Sequence, residues 1–251
     1  MNSILITVRS GSTRLPKKAF LKIKGKTTIE HLIDRVKNSK LPDSIILCTT
    51  ILPEDDDLCK IAETNNIKYY RGSVKDKLER WKGACEKYNV DFFITADGDD
   101  LFCEPELIDL AINQYKNTNA DFIKTDEVVC GAFTFGIKYE ALKKACEIKD
   151  TDDTEMMWVY FTDTGLFNVE NLKNIPEEYK RKDIRMTLDY KDDFNFFKHI
   201  IEYFDGNKFG LRDILSYIDD NPEISKINYY LEQNWSENQN NNIKLVLKDD
   251  K

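Results

Sequence analysis

Short apolar runs and amphipathic segments alternate along the first half of the chain. Apolar residues that recur with helical spacing predict helices between the runs, at 27–36, 55–64, 73–88 and 105–115. Strands that alternate with helices of about ten to fifteen residues are typical of βαβ units. The pattern therefore predicts an α/β fold with a mostly parallel central sheet flanked by helices. The apolar runs that predict strands are 3–8, 44–49, 67–70, 92–95 and 121–124.

Two of these helices carry sequence signals for where they begin. Thr27 and Glu30 have the spacing of a capping box, in which each side chain binds the backbone N–H of the other residue. Ser73 and Asp76 have the same spacing, with Asp in place of Glu, ahead of the helix that ends at Tyr88. We therefore expect Thr27 and Ser73 to cap their helices.

The alternation becomes less regular beyond Asp126. The pattern there predicts a strand at 132–137, a helix at 139–146, a returning strand at 184–188 and helices at 192–204 and 211–218. The segment 236–242 is rich in asparagine, a composition typical of flexible chain. We expect one domain over residues 1–235 and a flexible tail at 236–251.

Composition and charge narrow the class of protein. The net charge of the 251 residues is -8, and an acidic chain lacks the basic surface that general nucleic-acid binding needs. No run approaches the roughly 18 consecutive apolar residues of a membrane span. The six cysteines form no CxxC pair, and with two histidines this favours reduced thiols over a zinc site. We expect a cytoplasmic protein with no nucleic-acid partner and no membrane span.

A cation-rich loop follows the first predicted strand. Between Val8 and Lys18 the chain carries four cations, three hydroxyl side chains and one glycine. Small residues let backbone N–H groups approach anionic oxygens, and Arg and Lys offset negative charge. Pro16 stiffens the loop, and its glycine spacing is not that of a P-loop or a dinucleotide fingerprint. The loop therefore suggests a nucleoside triphosphate held by a different arrangement.

A group of carboxylates follows the strand predicted at 92–95. Asp97, Asp99 and Asp100 surround Gly98 at the carboxyl end of this strand, where ligands bind in open α/β sheets. Carboxylates combined with substrate phosphates and water are the ligands that Mg²⁺ prefers. The cationic loop should face them across one crevice, which favours a magnesium site. A solvated acidic turn is the alternative, because Asp and Gly favour turns.

Three further features follow predicted strands. Asp189 can present an oxygen to a metal or cap the helix that follows it, and the two roles are compatible. The tripeptide 71–73 (Arg-Gly-Ser) can bind an anion or close a turn. Arg80 can line a base or ribose pocket, whereas a tryptophan such as Trp81 more often belongs to the core.

These features together suggest nucleotidyl transfer. An anionic nucleophile attacks an α-phosphorus, and pyrophosphate leaves. The protein positions the reactants and offsets charge, with Mg²⁺ bridging phosphate oxygens, so no protein nucleophile is required.

With these features the chain resembles the cytidylyltransferase family, which includes CMP-Kdo and CMP-acylneuraminate synthetases. The likeness is strongest to the spore coat polysaccharide biosynthesis branch, and it spans most of residues 1 to about 230 in the family's order. The motifs that carry it are 9–18 (RSGSTRLPKK), 70–73 with 78–81, 98–99 with 104–109, and 185–190 (RMTLDY).

The resemblance implies a Rossmann-like nucleotidyltransferase fold, CTP as donor, a small-molecule acceptor, Mg²⁺ as cofactor and release of pyrophosphate. It implies that Arg14 and Lys18 hold the triphosphate and that Asp99 and Asp189 carry the metal, which makes Arg14, Lys18 and Asp99 the expected catalytic residues. Family members often dimerise through the middle segment, here 126–182, which also holds the acceptor. The other residues expected at the nucleotide are Arg9, Ser10, Gly11, Ser12, Thr13, Arg71, Gly72, Ser73, Arg80 and Asp97.

Several positions depart from the pattern of this branch. Lys17 stands where Gly is usual, and Asp100-Leu101 stands where a small residue or Cys and then Pro are usual. Acidic residues are usual after Gly131, but Phe133 and Phe135 are found there. The segment 155–158 (Glu-Met-Met-Trp) replaces a stretch that contains histidine. These changes fall where the acceptor should bind, so we expect an intact nucleotide half and a more apolar acceptor pocket.

Two other readings fit parts of the sequence. In a glycosyltransferase that uses a nucleotide sugar, Asp97-Gly98-Asp99 would be a DxD metal motif. Such an enzyme has no triphosphate to bind and gains little from the loop between Arg14 and Lys18. A non-catalytic scaffold would explain the altered acceptor residues, but the presence of Asp99 and Asp189 argues against it. The sequence therefore favours a cytidylyltransferase acting in surface polysaccharide synthesis.

Overall fold

A seven-stranded sheet is the main feature of the fold. The computed structural model describes residues 1–205, 208–241 and 243–248 of the chain. The strand order is β5-β4-β1-β6-β8-β7-β9, and β8 alone runs antiparallel to its neighbours. Two short strands, β2 and β3, form a separate hairpin. The strands are β1 (Asn2–Thr7), β2 (Lys22–Ile23), β3 (Lys26–Thr27), β4 (Ser44–Thr50), β5 (Lys68–Gly72), β6 (Phe92–Asp97), β7 (Phe122–Lys124), β8 (Gly136–Lys138) and β9 (Val169–Asn171).

Helices cover both faces of this sheet, as the sequence predicts. On β1, Ile4 and Ile6 belong to one hydrophobic core, and Leu5 between them belongs to a second core. This alternation places an apolar layer on each face. The α/β fold with a mostly parallel sheet is thereby confirmed. The helices are α1 (Thr28–Val36), α2 (Asp56–Thr64), α3 (Lys77–Tyr88), α4 (Pro105–Thr118), α5 (Tyr139–Ile148), α6 (Val159–Thr162), α7 (Lys191–Phe204), α8 (Leu211–Asp220) and α9 (Glu232–Asn241).

The two predicted helix caps have different outcomes. The capping box of α1 is confirmed, because Thr27 and Glu30 exchange side-chain to backbone hydrogen bonds. The prediction for α3 is wrong: the Asp76 carboxylate, rather than Ser73, accepts the bond from the Glu79 N–H. The Ser73 hydroxyl accepts from the Asp76 N–H and holds the turn that precedes the cap. Helix α3 therefore begins one turn later than expected.

Two strand predictions in the second half are wrong. The strand predicted at 132–137 is limited to Gly136–Lys138, because Gly131, with φ +85°, turns the chain against the Met186 carbonyl. The run 184–188 makes a single β-bridge, between Arg185 and Cys130, although all five of its residues are buried. Strand β9 was not predicted, since Val-Glu-Asn has no apolar run.

The chain beyond residue 231 continues as ordered structure over the part that is described. Helix α9 extends into the segment expected to be a flexible tail. Residues 246–248 then hydrogen-bond to residues 148–150, after the end of α5. Residues 242 and 249–251 of the expected tail lie outside the described residues. Among the helices of the described chain, none combines the length and the apolar character that crossing a membrane requires.

Candidate functional site

The site lies where the strand order reverses. The chain proceeds from β1 to β4 and β5 on one side and then returns to β6 on the other side of β1. A crevice forms at such a switch point, at the carboxyl ends of the strands. Thr7 and Asp97 are register partners there. The Gly98 N–H donates to the Thr7 carbonyl at 2.8 Å, and a Cβ on Gly98 would lie 2.7 Å from Val8, so this contact requires glycine.

Lys18 lies between two carboxylates at this crevice. Its Nζ is 2.7 Å from Oδ2 of Asp99 and 2.8 Å from Oδ1 of Asp189. The three residues are separated by 81 and 90 positions along the chain, so the fold alone brings them together. Lys17, just before, has a left-handed backbone with φ 54°. That conformation favours glycine, which explains why the resembling branch usually has Gly at this position.

The three charges set each other's ionisation. Burial alone would lower the pKa of Lys18, but Asp99 and Asp189 more than offset this effect and raise the pKa. Burial raises the pKa of Asp99 above its usual value, and Lys18 counters only part of the rise. For Asp189, attraction to Lys18 and Arg14 outweighs burial and lowers the pKa. At neutral pH the cluster therefore keeps its ammonium group and a charged Asp189.

Asp189 is held from both sides. Arg14 donates to its Oδ1 at 2.7 Å from the cationic loop. On the other side the buried Arg185 approaches its Oδ2 at 3.7 Å. The cap of α7 is supplied by Asp193, whose carboxylate accepts from the backbone N–H groups of Asp189 and Tyr190. The alternative that Asp189 acts as the cap is therefore excluded, and its carboxylate is instead engaged by Arg14, Lys18 and Arg185.

The carboxylates of the 97–100 turn have separate surroundings. Asp97 pairs with Lys77 at 3.2 Å, and Asp99 pairs with Lys18. Asp100 is 8% exposed, and its burial, together with Asp99, raises its pKa well above the usual value. The three carboxylates therefore differ in their partners and in their burial, although Asp97 contributes to the raised pKa of both Asp99 and Asp100.

Lys77 is a charged residue of the cavity that the sequence did not indicate, and Glu155 belongs to the segment 155–158 that was expected at the acceptor. The Lys77 side chain is 12% exposed, and its Nζ lies 5.3 Å from the centre of the Trp81 ring. Glu155 pairs with Arg9 at 3.3 Å. Burial would raise the pKa of Glu155, but Lys77 and Arg9 lower it below its usual value. One available signal was that Lys77 and Trp81 are four residues apart on one helix.

These residues line one cavity of about 1260 Å³. Of the expected nucleotide residues, it includes Arg9, Gly11, Ser12, Thr13, Arg14, Lys18, Arg80, Asp97 and Asp99, together with Asp189. Trp81 also lines the cavity, and its indole N–H donates to the Thr7 hydroxyl at 2.8 Å.

The remaining expected residues lie outside the cavity walls. Arg71 donates to the carbonyls of Thr50 and Leu52 and therefore closes a turn. Gly72 is the last residue of β5, Ser73 follows it, and a Cβ on Gly72 would lie 3.2 Å from the backbone of Arg80. Ser10 is tied to the 53–55 turn by its backbone and its hydroxyl. The structure therefore does not bring these four residues to the site.

The donor set suits a magnesium ion that is shared with a substrate. Among residues 1–205, 208–241 and 243–248, no three His, Cys, Asp or Glu side chains form a group that could hold a metal by themselves. Asp99 and Asp189, however, lie on either side of one cation, Lys18. Mg²⁺ is commonly held by one or two carboxylates, with phosphate oxygens and water as the other ligands. These two residues therefore fit that role.

The fold and the site define a nucleotidyltransferase. Residues 3–235 match the family described as Cytidylyltransferase. The chain therefore belongs to the cytidylyltransferase family, which confirms the family predicted from the motifs and an enzymatic activity.

Relatives and a solved structure agree with this assignment. An uncharacterised protein of Methanocaldococcus jannaschii is 32% identical, over 91% of this chain and 95% of its own. A spore coat polysaccharide biosynthesis protein of Bacillus subtilis is 25% identical, over 80% and 88%. The structure of a cytidylyltransferase from Leptospira borgpetersenii superposes with a TM-score of 0.81 at 27% identity, covering 89% of this chain and 96% of that one.

Proposed function

We propose that this protein transfers CMP from CTP to a small acceptor and releases pyrophosphate. An oxygen of the acceptor attacks the α-phosphorus, and the bond from the α-phosphorus to the bridging oxygen of the β-phosphate breaks. The acceptor is a sugar acid, a sugar phosphate or a related metabolite that bears phosphate or carboxylate. The likeness to a spore coat polysaccharide biosynthesis protein supports a role in surface polysaccharide synthesis.

The observation that carries the proposal is Lys18 between Asp99 and Asp189 at the switch point. Lys18 and Arg14 bind the triphosphate, with the backbone N–H groups of Gly11 and Thr13 in the cavity wall as further donors. Both cations are paired with Asp189, so phosphate oxygens must compete for them. The chain supplies positioning and charge, which is what transfer at phosphorus needs from a protein.

Asp99 and Asp189 are the residues that would hold Mg²⁺. Held there, Mg²⁺ would supply positive charge to offset that of the phosphates. Burial and the neighbouring carboxylates Asp189 and Asp97 raise the pKa of Asp99. A divalent cation at this position would favour the ionised form of Asp99. Asp100, which is buried and has a pKa raised well above its usual value, is not part of this pair.

The acceptor lies toward segment 126–182. Phe133, Phe135 and Trp158 line the cavity on that side, together with Met156. The rings of Phe135 and Trp158 are 6.3 Å apart. These side chains support the more apolar acceptor pocket expected from the sequence. They agree with an acceptor that combines an anionic group with an apolar ring face.

The glycosyltransferase reading is less well supported. A DxD motif needs both carboxylates for one metal–diphosphate group, but Asp97 pairs with Lys77 and Asp99 with Lys18. The cationic loop also lines the cavity through Gly11 to Arg14. A finished nucleotide sugar has no third phosphate to use those cations. CMP transfer accounts for both the loop and the carboxylates.

The test is pyrophosphate release with each of the four ribonucleoside triphosphates and Mg²⁺, against a panel of sugar acids, sugar phosphates and phosphonates. We expect release with CTP and one acceptor, and a loss of about tenfold or more in kcat/KM for Lys18→Met. Lys17→Asn is the control, because it removes the same charge and Asn tolerates the left-handed backbone. Transfer from a nucleotide sugar, without release from any triphosphate, would contradict the proposal.

A homodimer formed through segment 126–182 and a cytoplasmic location remain predictions from the sequence. Sedimentation equilibrium of the purified chain tests the dimer, and fractionation of the native cells tests the location.

A further inference from the structure

Helix α9 presents an unusual face to the cavity. Glu232, Trp235, Ser236 and Gln239 have the i, i+3, i+4, i+7 spacing of one helix face, and all four line the cavity with Asn238. The four are half-buried, whereas residues 233, 234, 237 and 238 are exposed. A helix face that serves only stability is mainly apolar. This one carries one indole among a carboxylate, a hydroxyl and an amide.

The face is fixed to the metal side of the site by Arg185. Nη1 of Arg185 pairs with Glu232 at 3.0 Å, and its guanidinium lies 5.0 Å from the centre of the Trp235 ring. Arg185 is fully buried and also pairs with Asp193 at 3.0 Å. A planar guanidinium stacks on an aromatic ring and keeps its ion pairs at the same time. The position of the indole is therefore set by the same network that adjoins Asp189.

The face also adjoins the proposed acceptor segment. The backbone of Arg185 forms a β-bridge with Cys130, and Cys130 lines the cavity, as Phe133 does. The nucleotide half, by contrast, is built on β1, β6 and α3. Helix α9 thus forms a wall of the acceptor half that lies outside segment 126–182.

We propose that the α9 face is the binding wall for the ring of a polyhydroxylated acceptor; this inference rests on the proposed function. The Trp235 indole offers a flat apolar surface to the C–H face of a sugar ring, and buried aromatic anchors of this kind orient small ligands. The Ser236 hydroxyl and the Gln239 amide can each donate to and accept from ring hydroxyl groups. The α9 face selects for a sugar, while the cationic loop selects for the triphosphate.

The test separates acceptor binding from CTP binding. With the acceptor that is active in pyrophosphate release, Trp235→Leu should raise the acceptor KM by about tenfold, since it removes the ring and keeps an apolar side chain. The calorimetric Kd for CTP should stay within about twofold. Trp235→Phe, which keeps an aromatic face, should recover most of the acceptor affinity. Asn234→Ala, on the exposed side of the helix, is the matched control and should behave as wild type.

Other outcomes would overturn the inference. An unchanged acceptor KM in Trp235→Leu would overturn it. A CTP Kd that weakens as much as the acceptor KM would also overturn it, because the indole would then contact the cytosine base rather than the acceptor. If wild type releases no pyrophosphate with any acceptor, the proposed function fails instead.

Saturation-transfer NMR with glucose 1-phosphate and 3-deoxy-manno-octulosonate then tests the α9 face. Ring-proton signals that are lost in Trp235→Leu support it, and signals that persist, or are absent in wild type, overturn it.

Discussion

Asp99 and Asp100 are adjacent carboxylates with opposite surroundings, and they show what a single residue contributes to the site. Asp99 pairs with Lys18 at the cavity, while Asp100 is buried and its burial raises its pKa well above the usual value. Asp99→Asn should lower Mg²⁺-dependent kcat/KM by about a hundredfold, because it removes a charge at the metal–phosphate position. Asp100→Asn is nearly isosteric and replaces a buried carboxyl whose pKa is already raised well above its usual value, so its activity should stay near wild type.

The measurement is initial-rate pyrophosphate release, with thermal unfolding to show that both variants fold. Equal losses in the two variants would mean that the turn, rather than the Asp99 charge, supports the activity.

Glu155 occupies cationic groups that a triphosphate would use. It pairs with Arg9, and its side chain is 45% exposed. Glu155→Gln should tighten CTP binding by about threefold, since the phosphates no longer compete with this carboxylate. Calorimetric titration of CTP measures the effect. Asp152→Asn, which removes the same charge from an exposed position outside the cavity, is the control. Weaker CTP binding in Glu155→Gln would contradict this account.

The same variant has a pH signature in stability. The pKa of Glu155 is lowered in the folded chain, because attraction to Lys77 and Arg9 outweighs burial. Its contribution to stability is therefore present above the unfolded pKa and is lost as the pH falls through the folded one. Glu155→Gln should be less stable than wild type above about pH 5, by less than about 1 kcal/mol, and equally stable at strongly acidic pH. Urea unfolding at a series of pH values measures the difference, and a gap that widens toward low pH would contradict it.

Much of the site could be predicted at the residue scale, and the reason is topological. Parallel strands end at one edge, so charged residues that follow β1 and β6 had to meet near the switch point. Arg71 and Ser73 lie at the end of β5, but this strand is at the edge of the sheet, away from the crevice. Lys77 was missed because its approach to Glu155 depends on how the loop at 150–158 packs against α3, and the periodicity of the sequence does not record that packing.

At the scale of elements, the start of α3 joins the nucleotide half to the acceptor segment. Asp76 caps the helix, accepts from the Thr154 hydroxyl and pairs with Lys149 at 2.6 Å. Asp76→Ala should cost about 3 kcal/mol, because the cap is lost and Lys149, which is 10% exposed, loses its partner. Ser73→Ala, which removes one hydrogen bond in the same turn, should cost about 1 kcal/mol.

Urea unfolding of both variants measures these free energies. A larger loss in Ser73→Ala would restore Ser73 as the cap that the sequence spacing suggested.

The errors at the element scale share one cause. The alternation of apolar residues in 132–137 and 184–188 indicates that these segments are buried, and both are largely buried in the structure. A strand also needs a neighbouring strand to pair with, and the alternation does not show whether one is present. Gly131, with its positive φ, changes the chain direction just before the first segment. The second segment pairs with a neighbouring stretch only through the β-bridge between Arg185 and Cys130. The spacing of polar residues around Ser73 and Asp76 allows helix α3 to begin at either of two successive turns. Hydrogen bonds from the Leu78 N–H to Thr154 and from Thr154 to Asp76 favour the later start.

At the scale of the whole molecule, the cavity joins parts of the chain that are distant in sequence. The loop at 9–18, the turn at 97–100, the segment 184–189 and helix α9 all contribute to its walls. A net charge of -8 surrounds a cavity that concentrates cations on its nucleotide side. An anionic substrate is therefore drawn to this position and repelled elsewhere. The fold thus presents one place where a triphosphate and an acceptor can meet.

The central claim is that the acceptor attacks the α-phosphorus of CTP. The most direct measurement follows CTP radiolabelled at the α-phosphorus or at the γ-phosphorus, with Mg²⁺ and the active acceptor. We predict that the α-label appears on the acceptor as CMP and that the γ-label appears in pyrophosphate. A γ-label on the acceptor or in free orthophosphate, with the α-label left in CDP, would contradict the claim.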